Sequence, residues 1–484
     1  MKLLPKDGVS EKNVPMLLIQ AVCVIEFLFI TLENLFSGLG YYLAEDLVIV
    51  PCLLLAGWAL HQKPGVFARR RLMLAGAAIS WFVIAQCIHK VSGMENHPMA
   101  TVFLVYLMAF PFASLTDDRD NGGLGRVGGM FVAASLVLVC DTVLLLLNLV
   151  PAGLKAHIFW DGARLRPLWH PNIAASYFMI GIGFSLAFCI RARKMRTKAL
   201  LFCAVVLQLL AMALTNCRTT LLLTGALLGG TLFFRIFQGS WKGFVLGLLA
   251  AAVILVGTFK LSGMLYQWNN DRLLASLGTV QTEAAEPPDT AQTTATESLA
   301  SQEPNAETAP GETAPREEIV IMEDTGILIG DNEQRSLSED MRSLNGRTQI
   351  WEATLKAVRN SKPVMLWGTE YSGTIISIYH WFDVDHAHNS WLETLMRLGL
   401  PGLMLSLVFT VLAVWNGAKL LLTPGTELWK KVIAMLAMCV MATGFLEPYL
   451  FITNVYYHVT DFTFFFLTGY LDYWSNRKTD AKTV

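Results

Sequence analysis

Charge is scarce in this chain. Of its 484 residues only 15% are Asp, Glu, Lys or Arg, where a soluble domain carries about 25%. The formal net charge of −1 offers no electrostatic basis for binding nucleic acid. Cysteine is missing from the long polar stretch late in the sequence. All eight cysteines, among them Cys23, Cys87, Cys203 and Cys439, lie in or beside apolar runs. They are expected to be small buried residues and not a disulfide framework. The opening "MKLLPKDGVSEKNVP" lacks the compact pattern of a removable signal peptide, so none is expected. Internal repetition is also lacking between the two halves of the apolar regions, whereas transporters often carry it.

What the chain has in quantity is long apolar runs. Stretches of about 17 to 25 such residues cross roughly 30 Å of hydrocarbon as helices. Twelve are expected, near 15–36, 38–60, 71–90, 98–115, 127–149, 170–190, 197–216, 219–237, 242–261, 399–422, 429–448 and 455–474. The predicted fold class is therefore an all-α integral membrane protein. Residues 1–261 hold nine spans, 262–398 form one large loop, and 399–484 hold three spans and a tail. Basic residues of short loops stay on the cytoplasmic side. Arg69, Arg70, Arg71, the run Arg191 to Lys198, Lys430, Lys431, Arg477 and Lys478 all fall on that side if both termini are cytoplasmic. The large loop is then extracytoplasmic.

Within that loop, from Glu283 to Asp324, there are eleven acids and one basic residue, Arg316. A Thr/Ala/Pro-rich acidic composition cannot bury enough apolar surface to fold, so about 281–325 is expected to be a disordered insert. Order is expected again over about 340–398. There Ile350, Trp351, Thr354, Leu355 and Val358 recur at helical spacing, and Pro363 lies beyond them. "NSWLETLMRL" reads as a short helix leading into the tenth span.

Polar residues in so apolar a chain point to function, and three clusters fall on the expected outer side. "DGARLRPLWHPNIAASYF", 161–178, carries Arg164, Arg166, His170 and Asn172. "LTNCRTTLLL", 214–223, puts Arg218 in a tight turn between two spans. The large loop adds Arg347, His386 and His388. A lone Arg218 could simply snorkel to lipid phosphate, and Arg347 alone could be a solvated loop residue. Several guanidiniums on one face suit phosphate or pyrophosphate.

His386 and His388 admit three readings. With Asp383 and Asp385 they are permissible metal ligands, but their spacing fits no recognised zinc pattern. They could cap or hydrogen-bond a helix start. A neutral imidazole at the rim of a membrane cavity could also serve as a general base.

The ordered set of an outer "HPN" entering a span, "TNCRTT" between two spans, then "GRTQIW" and "HAHNSWLETLMRLGLPGLM" resembles the O-antigen ligase and polymerase superfamily. The resemblance covers roughly residues 160 to 422, and Cys217 stands where a Ser usually precedes the Arg. It implies a GT-C-like membrane glycosyltransferase in the bacterial inner membrane, working in surface polysaccharide synthesis. It implies an undecaprenyl-diphosphate glycan donor, a hydroxyl acceptor on glycan, lipid or protein, and no metal or other cofactor. Carried over by motif, His388 is the base and Arg218 and Arg347 hold the donor phosphates. Arg164, Arg166, His170, Asn172, His386 and Asn389 support them, Asn389 by orienting the ring. A flippase for polyprenyl-linked glycans, or another multi-span transporter, is the competing class, kept open by Glu447, His458 and Asp461 near the last two spans.

Overall fold

A computed structural model describes residues 14–32, isolated positions between 54 and 88, and then 122–150, 159–161, 164–166, 171–237, 239–283, 320–322, 327–329, 346–369, 372–379, 384, 386–448, 450–451 and 458–476. The spans expected near 38–60, 71–90 and 98–115 fall largely outside these residues, as do His170, Asp383 and Asp385.

Among the described residues the long helices are α1 (Val14–Leu32), α2 (Gly122–Leu146), α3 (Pro171–Arg191), α4 (Met195–Leu214), α5 (Arg218–Ile236) and α6 (Trp241–Glu283). Three short helices follow, α7 (Arg347–Asn360), α8 (Lys362–Trp367) and α9 (Ser372–Ser377). The chain then enters α10 (Ser390–Leu422), α11 (Leu428–Thr443) and α12 (His458–Asn476). By length and hydropathy, six described helices could cross a membrane: α2, α3, α4, α5, α6 through Ala275, and α10. All six lie where spans were expected, and the chain is a mostly helical, multi-pass membrane protein.

The helix α3 carries no charge until Arg191, so it has no face that prefers water, and it sits enclosed in the core. Its Gly183 lets α11 close in, because a Cβ there would lie 2.7 Å from Leu436. The α5–α6 contact uses the same device. A Cβ on Gly229 would come within 2.9 Å of the Ala251 carbonyl oxygen, so small residues set how near the two backbones run.

A small sheet, in the order β2-β1-β4-β3, caps the bundle. It comprises β1 (Phe159–Asp161), β2 (Arg164–Arg166), β3 (Val320–Met322) and β4 (Ile327–Ile329). β1 pairs antiparallel with β2 and parallel with β4, and β3 pairs antiparallel with β4. Trp160 and Leu165 anchor it against Leu145, Leu214 and Leu273 of α2, α4 and α6. Arg272 of α6 donates to the Leu146 carbonyl at 2.7 Å and lies over the Trp160 ring.

The backbone differs here from the expectation of a wholly unstructured stretch over 281–325. β3 falls inside it, because "IVIM" and "ILI" are short apolar runs rich in β-branched residues that pair with each other as a local hairpin, which β4 then joins to β1. The helix α6 also runs on well past residue 261, since hydropathy marks where apolar character ends and not where the backbone ladder stops.

The late segment builds a second, smaller core. Ile350, Ala353, Ala357 and Val358 of α7 pack with Val364, Ile376, Val384, Ala387, Leu395 and Met396. The buried stripe of α7 is thus turned slightly from the expected one, leaving Leu355 exposed. At Gly399 (φ +67°) α10 breaks, ahead of Pro401. A Cβ on Gly399 would lie 2.4 Å from the Leu366 carbonyl oxygen, and one on Gly368 (φ +82°) 2.2 Å from that of Arg397. Backbone therefore packs directly on backbone where α8 meets the kink.

Candidate active site

The helix termini that carry the polar clusters meet at one end of the bundle. Between α4 and α5 the turn is closed by Asn216 in the left-handed region at φ +49°, a conformation Asn tolerates better than most residues. The turn leaves the Thr215 carbonyl facing β2, and Arg164 Nε donates to it at 3.0 Å. In β2 successive side chains alternate faces. Leu165 is buried, so Arg164 and Arg166 share the other face. Arg164 Nη2 also donates to Asn172 Oδ1 at 3.2 Å, in the first turn of α3.

Asn172 passes the connection on, its Nδ2 donating to Glu447 Oε1 at 2.9 Å. The same carboxylate takes Arg347, the first residue of α7, at 2.5 Å. Its other oxygen stands 3.5 Å from His388 Nδ1, an electrostatic contact longer than a formed hydrogen bond. Glu447 is thus the hub of the site. Its side chain is 8% exposed, against 16% for Arg347 and 31% for His388, so the carboxylate is inside while the imidazole keeps an open edge.

The segment bearing the histidines is fixed from behind. Asn389 caps α10, its Oδ1 accepting from the Trp391 and Leu392 amides at 3.0 Å each, while its Nδ2 donates to the Phe445 carbonyl. Ser390 joins the same two segments. Its amide donates to the Gly444 carbonyl, its hydroxyl donates to the Glu447 carbonyl, and that hydroxyl accepts from the Leu450 amide at 3.0 Å. Glu393, fully enclosed, accepts from the Ala387 amide at 2.9 Å, the Ser372 hydroxyl at 2.7 Å and Arg397 at 2.5 Å. Held this way, His388 sits at φ +49°, a conformation that costs a non-glycine residue on the order of 1–3 kcal/mol. Such strain persists only where neighbours over-determine it, and here they do.

His386 stacks obliquely on His388, with ring centroids 4.2 Å apart. One ligand atom from each of His386, His388 and Glu447 falls within 4.8 Å of the others. Among the described residues these three could hold a metal, and Asp383 and Asp385 lie outside those residues. At the arginine side, Arg218 opens α5 within electrostatic reach of Arg164 and Tyr266. Cys217, at the N-cap of α5, makes no side-chain capping bond.

The structure therefore brings His388, His386, Arg347, Asn172 and Arg164 around one carboxylate, with Arg218 beside Arg164. Arg166 follows on the same strand face. Asn389 works on the helix start and on Phe445. Glu447 was named in the sequence only for its place near the last spans. The signal that could have found it is an acid in an otherwise apolar run, just past the point where α11 stops at Thr443. Asp461, its companion in that region, accepts from the Phe451 amide at 2.7 Å, and the His458 side chain lies outside the described residues.

The chain matches no curated protein. Residues 203–407 match the model of the O-antigen ligase family. That stretch runs from α4 through the arginine turn, Arg347 and the paired histidines into α10. The matched stretch, less than half of the chain, takes in Arg218, Arg347 and the paired histidines, while Arg164, Asn172 and Glu447 lie outside it, and over that stretch the chain is similar to the O-antigen ligase family.

Proposed function

We propose that the protein transfers a glycan from an undecaprenyl-diphosphate donor to a hydroxyl acceptor at the outer face of the cytoplasmic membrane. Both termini are cytoplasmic in this scheme. The observation that carries it is Glu447, whose carboxylate takes Arg347 and Asn172 on one oxygen and faces His388 on the other. A carboxylate beside Nδ1 favours the tautomer with its proton there, which leaves Nε2 as the lone pair.

In the reaction Nε2 of His388 removes the acceptor hydroxyl proton as the oxygen attacks the anomeric carbon. The C–O bond to the diphosphate breaks, and polyprenyl diphosphate leaves with the bonding electrons. A single displacement inverts the anomeric centre. Diphosphate is already a good leaving group, so charge stabilisation and one base suffice, and arginines supply the charge without a metal.

Arg218 and Arg164 suit that task. Two like charges held within reach of one another are relieved by an anion between them, and the uncapped amides opening α5 add donors of the same sign. Arg347 joins the set at the Glu447 carboxylate. The acceptor is a further repeat unit, a lipid or a protein hydroxyl. The lipid tail of the donor stays in the bilayer beside the helices.

The test is transfer in proteoliposomes with a lipid-diphosphate oligosaccharide and chelator throughout, comparing wild type with His388→Ala and Arg218→Ala. Transfer that persists in chelator and is lost in both variants supports the scheme, and product length then separates polymerisation from single transfer. Transfer surviving in His388→Ala removes the base assignment. Lipid-linked glycan crossing the bilayer without any transfer would point to a flippase instead.

A further inference from the structure

We infer that His386, His388 and Glu447 form a binding site for a dication of the zinc class, and that occupancy silences the transferase. Two imidazoles and a carboxylate are a ligand set that such ions prefer over magnesium or calcium. The geometry suits it. His388 Nδ1 and Glu447 Oε2 are 3.5 Å apart, close to the edge of about 3.3 Å that tetrahedral ligands at about 2.0–2.1 Å define. The His386 ring lies against that of His388, and one ligand atom from each of the three residues falls within 4.8 Å of the others.

Two features set the strength. Glu447 is a buried acceptor whose Oε1 takes Arg347 and Asn172 and whose Oε2 faces His388. The nearby guanidinium opposes a second positive charge, so affinity falls short of that of a closed structural zinc site. Such a site binds reversibly, as an inhibitory one must.

The silencing follows from proton placement. A neutral imidazole carries one proton. When the ion takes the Nδ1 lone pair of His388, that proton resides on Nε2, and Nε2 can no longer accept one from the acceptor hydroxyl. No net proton is released, because Glu447 is already ionised. This consequence rests on the base role proposed for His388, whereas binding itself does not.

The experiment titrates metal-stripped, full-length protein in nanodiscs with Zn²⁺ alone by calorimetry, with Mg²⁺ in parallel, and repeats the transfer assay across the same zinc series. Wild type is expected to bind one Zn²⁺ saturably and to ignore Mg²⁺. Loss of one ligand in His386→Gln should weaken binding by more than the roughly 10- to 100-fold that loss of an outer-shell partner costs. His386→Cys, which keeps a zinc ligand, should retain binding and guards against a folding defect. Transfer should fall with zinc occupancy and return on chelation. Equal zinc binding by wild type and His386→Gln would place the ion elsewhere and overturn the site. Binding at the triad with undiminished transfer would overturn the silencing, and with it the base assignment.

Discussion

Replacing Glu447 by Gln exchanges one carboxylate oxygen for an amide NH₂ and should separate the chemistry from the scaffold. The amide keeps an oxygen for Asn172 and Arg347, so most of the hub's geometry survives. The Arg347 charge, on a side chain 16% exposed, loses its counter-charge. Breaking a fully buried pair costs about 3–5 kcal/mol and an exposed one about 0–1 kcal/mol. With an acceptor retained, about 1–3 kcal/mol of stability is the expected loss. The effect on transfer should be larger. A Gln NH₂ facing Nδ1 turns that nitrogen into an acceptor and moves the ring proton to Nε2, removing the base. Loss of general-base catalysis costs about 10²- to 10⁴-fold, or about 2.7–5.4 kcal/mol in the barrier. The assay is steady-state transfer in proteoliposomes with thermal unfolding run on the same preparations. The expected outcome is a fall in kcat with KM nearly unchanged. Activity in Glu447→Gln within about threefold of wild type, under 0.7 kcal/mol, would refute the role given to this carboxylate.

Three further outcomes follow from the scaffold. Gly368→Ala places a Cβ within 2.2 Å of the Arg397 backbone at φ +82° and should destabilise by more than about 2 kcal/mol, whereas Gly425→Ala, at φ +80° in open space, should cost only the left-handed strain of about 1–2 kcal/mol; thermal unfolding of the two variants compares them. Asn389→Ala removes the cap of α10 and should lower stability by about 1–2 kcal/mol while reducing transfer through a displaced His388, seen as a loss that a compensating rise in donor concentration does not restore. Glu393→Leu leaves Arg397, Ser372 and the Ala387 amide without their acceptor and should abolish recovery of folded protein in size-exclusion chromatography, an outcome that a normal elution profile would contradict.

Much of this arrangement was legible in the sequence, and the reasons differ element by element. The helix α7 announced itself by periodicity, and "NSWLETLMRL" by an Asn followed by an apolar run, because caps and amphipathic stripes are local. The histidine motif and Arg218 stood out because polar residues are costly in an apolar chain. What stayed hidden depends on contacts distant along the chain. Glu447 is 59 positions from His388 and 100 from Arg347, and no spacing rule links them. The expected eleventh span ran to 448, but α11 ends at Thr443, and only that early stop puts the carboxylate in a turn facing the histidines. The sheet was missed for a similar reason, since β1 and β4 are separated by more than 160 residues, and three-residue strands have no pattern of their own.

The single hydroxyl of Ser390 has a mechanical consequence. It donates to the Glu447 carbonyl and accepts from the Leu450 amide, while the Ser390 amide holds the Gly444 carbonyl. The start of α10 and the 444–450 turn are therefore one cooperative unit, and any opening that releases one releases the other. Thermal agitation of this protein should not yield half-assembled centres in which an imidazole waits for its carboxylate. The two leave and return together, so the population able to react is set by one opening equilibrium, readable as a shared rate of hydrogen exchange at Ser390 and Leu450.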